Sequence, residues 1–361
     1  MTALQTVDLV LVGLGNVHRQ FLHLLATRQE VLAQRHGLRL RVIGASDSRG
    51  AVAATAGVDP AALLAHKLAG GNAGDYPGGA AGATALDLLA QAPAQVMLEA
   101  SPVNLADAQP SLGYILAALE RGVHVVLANK GPLALHYQLL RVAAAAHGAR
   151  LAFSATVCGG LPVVNVGVRD LVAAQVQRVE GVFNSTSNYI LSQMAAGDSY
   201  AEALAEAQRR GIAETNPILD VDGWDTANKL TIVANAVLGW PATVRDVHPV
   251  TGIRGLSPSP GPAQQPVTGN RGLSPSPGPS LEGGGVWRLL GVAERRADGG
   301  YDLSVRPAAL PPTHKLAHVD GWQMGVVFES DLFESIFISI DERGPTGTAA
   351  AMLRDVVNLY R

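Results

Sequence analysis

The chain has a single cysteine, Cys158, so no disulfide can form within it, and a reducing, cytoplasmic setting is expected. It has no long apolar run. Nothing approaches the roughly 18–20 consecutive apolar residues that a membrane-spanning helix needs. No basic segment followed by an apolar one marks a signal peptide at the N-terminus. There is no basic tract either. Net charge is −3 and the isoelectric point about 6.4, which argues against nucleic acid or an anionic membrane surface as partners. What is present is an ordinary globular balance. Hydrophobic residues are 48 % and charged residues 16 % of 361 positions, enough for two domains with a core each.

The N-terminal part reads as a dinucleotide-binding unit. Residues 7–12 form a β-branched and aliphatic run suited to a buried parallel strand. Gly13-Leu14-Gly15-Asn16-Val17 follows at once, then a helical pattern through Phe21, Leu22, Leu24, Leu25, Val31 and Leu32. Gly13 permits a tight turn. Gly15 lets the backbone approach a pyrophosphate resting on the helix N-terminus. His18 stands where the fingerprint has its third glycine, so looser packing of helix on strand is expected there.

Residues 40–45 read as the second strand, ending at Ser46-Asp47-Ser48-Arg49. An acid at that end accepts the ribose 2′-hydroxyl of NAD, whereas an arginine favours the 2′-phosphate of NADP. Asp47 and Arg49 pull in opposite directions, so NAD and NADP both stay open. A plain polar turn is the alternative. Residues 70–82 are glycine-rich and read as a flexible loop. Strands at 95–100, 123–128 and 150–153 alternate with helices at 111–121 and 136–147. The fold expected is α/β, a Rossmann-like doubly wound parallel sheet over 1–136, with a C-terminal helix of 344–361 returning to it. Ser101 and Lys130 end their strands on the edge where such sheets bind ligands.

A second, α+β domain with a mixed sheet is expected over 137–343, its strands at 179–183, 285–291, 301–305 and 325–328. Residues 154–162 form a small-residue turn of the kind that approaches a ligand or ion. Cys158 within it is either a nucleophile or, more simply, a small buried residue. Asn184-Ser185-Thr186-Ser187-Asn188 offers hydroxyls and amides to cap a helix or bind a polar substrate, with Asn184 and Thr186 as candidates. Residues 213–229 gather Glu214, Asp220, Asp222, Asp225 and Lys229 on one segment. Asp225 and Lys229 are four apart and share a helix face, as a carboxylate orienting a proton-carrying lysine would. The same spacing also suits a solvated helix start.

Taken in order, these motifs resemble homoserine dehydrogenases. The resemblance is carried by the glycine turn at 13–17, by Ala128-Asn129-Lys130-Gly131-Pro132, and by 155–162, 184–191 and 213–230. It continues at 285–291 and 344–350. It implies interconversion of L-homoserine and L-aspartate 4-semialdehyde with NAD or NADP in threonine and methionine biosynthesis, by a homodimer. Lys229 and Lys130 then flank the reacting oxygen. Glu214 and Asp225 hold the substrate amino and hydroxyl groups, and Asp220 supports them. Gly13, Leu14, Gly15, Asn16, Val17, Asp47, Arg49, Ser101, Lys130 and Gly344 face the cofactor. The resemblance also implies a monovalent cation, Na⁺ or K⁺, on backbone carbonyls of Val157, Gly159 and Leu161. A carboxylate that some members carry at position 154 is serine here.

The chain departs from the pattern elsewhere too. Asn216 stands where many members have aspartate. Asp341-Glu342-Arg343 interrupts what is usually a glycine-rich loop against the cofactor. Residues 249–265 are followed by a copy, 266–282, whose first fourteen positions differ only at Ile253 versus Asn270. The first copy is expected to be native through Ile253 and Leu256, and the extra proline-rich material to form a surface loop. The chain ends soon after its last helix, so no appended regulatory domain is expected. Two rivals remain: a phosphorylating aspartate-semialdehyde dehydrogenase with Cys158 as nucleophile, and a non-catalytic nucleotide-binding relative.

Overall fold

The computed structural model describes residues 4–254, 256 and 285–361. The chain forms two compact units. The first is the chain up to Asp170 with Asn235–Thr243 and Glu342–Arg361; the second is Leu171–Ala234 with the described part of Val244–Asp341.

In chain order, β1 (Gln5–Val12) leads to α1 (Asn16–His36), β2 (Leu38–Asp47), β3 (Gly50–Ala53), α2 (Pro60–Leu68), β4 (Gly79–Ala81) and α3 (Ala85–Gln91). Then come β5 (Val96–Glu99), α4 (Ser111–Glu120), β6 (His124–Leu127), α5 (Gly131–Ala146), β7 (Leu151–Ala152) and α6 (Val163–Asn165). Next are β8 (Val176–Val182), α7 (Ser185–Ala195), α8 (Tyr200–Arg209), α9 (Ile218–Val221) and α10 (Trp224–Ala236). The chain closes with β9 (Val247–Val250), β10 (Val286–Arg295), β11 (Tyr301–Leu310), β12 (Gln323–Ser330), β13 (Ile336–Asp341) and α11 (Thr346–Leu359).

The first unit is built on a sheet in the order β4-β3-β2-β1-β5-β6-β7. Strands β2, β1, β5, β6 and β7 are parallel, and β3 and β4 add an antiparallel edge. Central β1 buries Val7, Leu9, Val10 and Leu11 completely, as a parallel strand covered on both faces must. Helix α11 packs on α1, and Met352 and Val356 share a core with Leu9, Phe21 and Leu22. The unit runs past the expected boundary at 136 because α5, β7 and the turn at 154–162 belong to it.

Two local expectations change. Residues 70–82 are not a loose loop. The Asp75 carboxylate accepts hydrogen bonds from the Asn72 backbone and amide and from the His66 ring, and β4 pairs with β3. Helix α5 starts at Gly131, not 136, since Pro132 sits in the first turn where its missing N–H has no helical partner to lose. The helix then leaves helical geometry at His136.

The second unit holds a mixed sheet in the order β13-β12-β8-β10-β11-β9, antiparallel except for β9 against β11. Strands β10 and β11 extend to Arg295 and Leu310, beyond the expected ends. Edge strand β13 was not expected. It alternates half-buried Ile336, Ile338 and Ile340 with exposed neighbours, a half-covered edge pattern. Ile253 is fully buried and donates its N–H to the Val221 carbonyl at 2.8 Å, while Arg254 pairs with Asp222 at 2.6 Å. The described start of the first copy, through Arg254, therefore packs here, and an asparagine in place of Ile253 would put an amide into an apolar place. The expected surface loop lies outside the described residues. No described helix is long and apolar enough to cross a membrane.

Candidate active site

In the first unit, Gly13 has φ +86°, and a Cβ there would lie 2.7 Å from the Ser101 Cα. Only glycine permits that turn and that approach to the end of β5. Gly15 faces open space and precedes α1, whose first turn carries no side-chain cap. Exposed Gly15 and Asn16 thus present backbone N–H groups, which fits a pyrophosphate. Leu14 is buried and Val17 half-buried, both packed in the core. His18 fills its position rather than loosening it. The ring is fully buried, and its Nδ1–H donates to the Gly13 carbonyl at 2.8 Å. Burial lowers its pKa from 6.5 to about 4, so it stays neutral.

At the end of β2 the two candidate ribose residues part. The Asp47 carboxylate turns inward. It accepts from Lys67 Nζ at 2.6 Å and from the Ala73 and Arg49 N–H groups, each at 3.0 Å. Burial pushes its pKa up, but these donors outweigh that and leave it below the usual range. The Arg49 side chain is exposed.

Below Gly13, Glu99 is fully buried at the end of β5 and accepts from the Ser101 N–H and hydroxyl. Burial pushes its pKa up. Asn129 accepts from the Gly131 N–H at 3.0 Å, fixing the start of α5 beside Lys130. Glu99 carried no motif in the sequence; only the strand-end network shows its position.

In the second unit the signature segment folds around an amine. Strand β8 delivers Phe183. Paired Gly181 and Gly291 make room for its ring: a Cβ would come within 2.7 Å of it from Gly181 and 2.9 Å from Gly291. Neither glycine nor Phe183 was singled out from sequence. The Phe183 carbonyl accepts from Lys229 Nζ at 2.8 Å, and Asp225 Oδ2 pairs with the same nitrogen at 2.8 Å. Asn184 caps α7, its Oδ1 accepting from the Ser187 N–H, while its Nδ2 donates to both Asp220 and Asp225 at 2.8 Å.

Not every candidate joins that cluster. The Thr186 hydroxyl donates to the Ile212 carbonyl at 3.1 Å. Glu214 is exposed, and among the described residues its carboxylate makes no hydrogen bond or ion pair. Asp222 is taken by Arg254.

The turn expected to hold a cation belongs to the first unit. Cys158 is buried with φ +57°, beside Gly159 at φ +55°. Val157 and Leu161 are buried, and the Leu161 carbonyl accepts from the Val163 N–H at 2.8 Å. Arg354 Nη1 donates to the Gly160 carbonyl at 3.1 Å, and Nη2 to the Ser154 hydroxyl at 3.0 Å. On the other side, Glu342 accepts from the Gly160 N–H at 2.6 Å and from the Thr348 hydroxyl at 3.2 Å. A guanidinium on the carbonyl side is a poor neighbour for a bound Na⁺ or K⁺, so the donor set does not fit one. No cluster of three or more metal-ligating side chains occurs among the described residues. Of the expected charged loop, Asp341 ends β13, Glu342 sits on the turn, and Gly344 is exposed at φ +82°.

A parallel sheet with a glycine turn feeding an uncapped helix, followed by a unit that holds a lysine between a carboxylate and a carbonyl, defines a dinucleotide-dependent oxidoreductase of the two-unit α/β class. The family model for homoserine dehydrogenase matches residues 162–357, and that for the homoserine dehydrogenase NAD-binding domain matches 13–154. The chain belongs to the homoserine dehydrogenase family, whose members are NAD(P)-dependent oxidoreductases. It is 32 % identical to an NAD(+)-dependent homoserine dehydrogenase of Pseudomonas canavaninivorans, over 98 % of this chain and 96 % of the relative. It is 31 % identical to the homoserine dehydrogenase of Methanocaldococcus jannaschii, over 98 % of each. A crystal structure of a putative homoserine dehydrogenase from Archaeoglobus fulgidus superposes with a TM-score of 0.82 at 31 % identity, over 98 % of this chain and 99 % of that one.

Proposed function

We propose that this chain interconverts L-homoserine and L-aspartate 4-semialdehyde, in threonine and methionine biosynthesis, with Lys229 moving the proton. The carrying observation is the lysine itself: half-buried, and held at 2.8 Å by both Asp225 and the Phe183 carbonyl. The nicotinamide cofactor, when bound, supplies or takes the hydride at the reacting carbon. Reduction builds negative charge on the aldehyde oxygen, and the Lys229 ammonium stabilises that charge and gives up a proton to it. In oxidation the neutral amine accepts the hydroxyl proton. Asp225 orients the amine, and Asn184, tying Asp225 to Asp220, is a positioning residue. Glu214 is the acid assigned to the substrate ammonium, since its carboxylate has no described partner. Lys130 is carried by the family resemblance as a second proton-transfer residue.

The turn at Gly13–Val17 would hold the pyrophosphate. Of the two cofactors we favour NADP, because Lys67 neutralises Asp47 while Arg49 stays exposed for a 2′-phosphate. A homodimer follows from the resemblance, and a cytoplasmic setting from the lone buried cysteine. The test is homoserine-dependent reduction of NAD⁺ or NADP⁺ by the purified chain. No reduction of either would end this assignment.

A further inference from the structure

We propose that Arg354 is the resident cation of the 157–161 turn, and that this chain takes neither Na⁺ nor K⁺ there. The guanidinium lies on the carbonyl side of the turn, bonded to the Gly160 oxygen at 3.1 Å and the Ser154 hydroxyl at 3.0 Å. It is always charged and rigidly forked, so it satisfies two acceptors at once, as an ion would.

The anionic half of the site has moved as well. Position 154 carries serine, and that serine donates its N–H and hydroxyl to Asp355 at 2.8 and 2.7 Å. A carboxylate at 154 would meet this buried carboxylate at hydrogen-bond distance and be repelled. Arg354 and Asp355 are neighbours on α11, so one helix supplies both charges to the turn. Glu342 closes the amide side, on the Gly160 N–H. The carbonyl and the N–H of Gly160 are thus each taken up by a charged side chain of the chain itself.

The test reads ions directly, so it stands or falls separately from the catalytic assignment. Melting temperature is measured in sodium, potassium and tetramethylammonium chlorides at one ionic strength, and sodium binding is followed by sodium NMR. The wild-type chain should melt at the same temperature in all three salts and show no saturable sodium site. Arg354→Lys should behave alike. Arg354→Ala should melt lower in tetramethylammonium and regain about 2–4 °C in sodium or potassium alone. An ion-specific gain or saturable sodium binding in the wild type overturns the proposal. So does an Arg354→Ala protein that folds yet gains nothing from either ion. Should that variant fail to fold, the wild-type measurements decide.

Discussion

Lys229 and Asp225 meet at 2.8 Å, one turn apart on α10, with side chains only 14 % and 6 % exposed. At that depth the pair is not a surface ornament. A buried carboxylate whose partner is removed keeps its desolvation penalty, on the order of 3–5 kcal/mol.

Lys229→Met should therefore do two separable things. Turnover should fall about 10²–10⁴-fold, the usual worth of a positioned proton donor. Stability should fall as well, by the penalty of the stranded acid. In Lys229→Met/Asp225→Asn the stability loss should be largely recovered while turnover stays low. Denaturant midpoints and steady-state kinetics on the three proteins check this; normal turnover in folded Lys229→Met contradicts it.

Gly291→Ala tests how the amine is aimed. The new methyl would sit 2.9 Å from the Phe183 ring and 3.0 Å from the Thr226 side chain. Relief requires Phe183 or α10 to shift, and Lys229 is bonded to one and carried by the other. A roughly tenfold or greater drop in turnover is expected from such a displacement, with a stability cost of about 1–3 kcal/mol for overpacking. Unchanged kinetics would show that the Phe183 carbonyl has no part in aiming the lysine.

Arg49→Ala should lower kcat/KM for NADP⁺ about 10- to 100-fold and leave that for NAD⁺ within about twofold, as expected for one charged hydrogen-bonding partner. Lys67→Met, which strips Asp47 of its cation, should move the ratio further toward NAD⁺. Equal losses with both cofactors would refute the role given to Arg49.

Cys158→Ser should leave homoserine oxidation within a few-fold of wild type. The thiol is 1 % exposed in a turn at positive φ, where thiol reagents and substrates meet it poorly. Loss of activity in a folded Cys158→Ser protein would favour the nucleophilic rival.

His18 makes a prediction about acid. Its folded pKa of about 4 lies below the unfolded value of 6.5, so the unfolded chain binds the proton first. Stability contributed by the neutral ring is whole above pH 6.5 and drains as pH falls toward 4, by on the order of 3 kcal/mol. His18→Gln should flatten that slope in melting curves taken across the window. An unchanged slope would mean that the ring titrates freely.

What the sequence could say depended on how local each signal was. The glycine turn, the strands around it and the Asp225–Lys229 spacing are written within a few adjacent residues, so they were legible. So was the alternation of strands and helices. The pairing of Asp47 with Lys67 and Ala73 was not, because the partners lie 20 and 26 positions further along the chain, and Ala73 sits in the 70–82 stretch that composition reads as a loop. Glu342 looked like an obstruction to the cofactor; its place on the Gly160 N–H needs a contact across 182 positions. Strand β13 was missed because an edge strand is only half covered, and its charged end resembled a loop.

Helix α11 has a consequence for how this molecule is made. Ala349, Met352 and Val356 complete a core begun by Val7 and Leu9 at the other extremity of the polypeptide. On a translating ribosome the nucleotide-binding half must wait, with apolar surface uncovered, until residues 346–359 have emerged. A chain stopped before residue 346 would thus lack part of the first unit's interior, and the apolar surface left open until then is the kind that favours off-pathway association during synthesis.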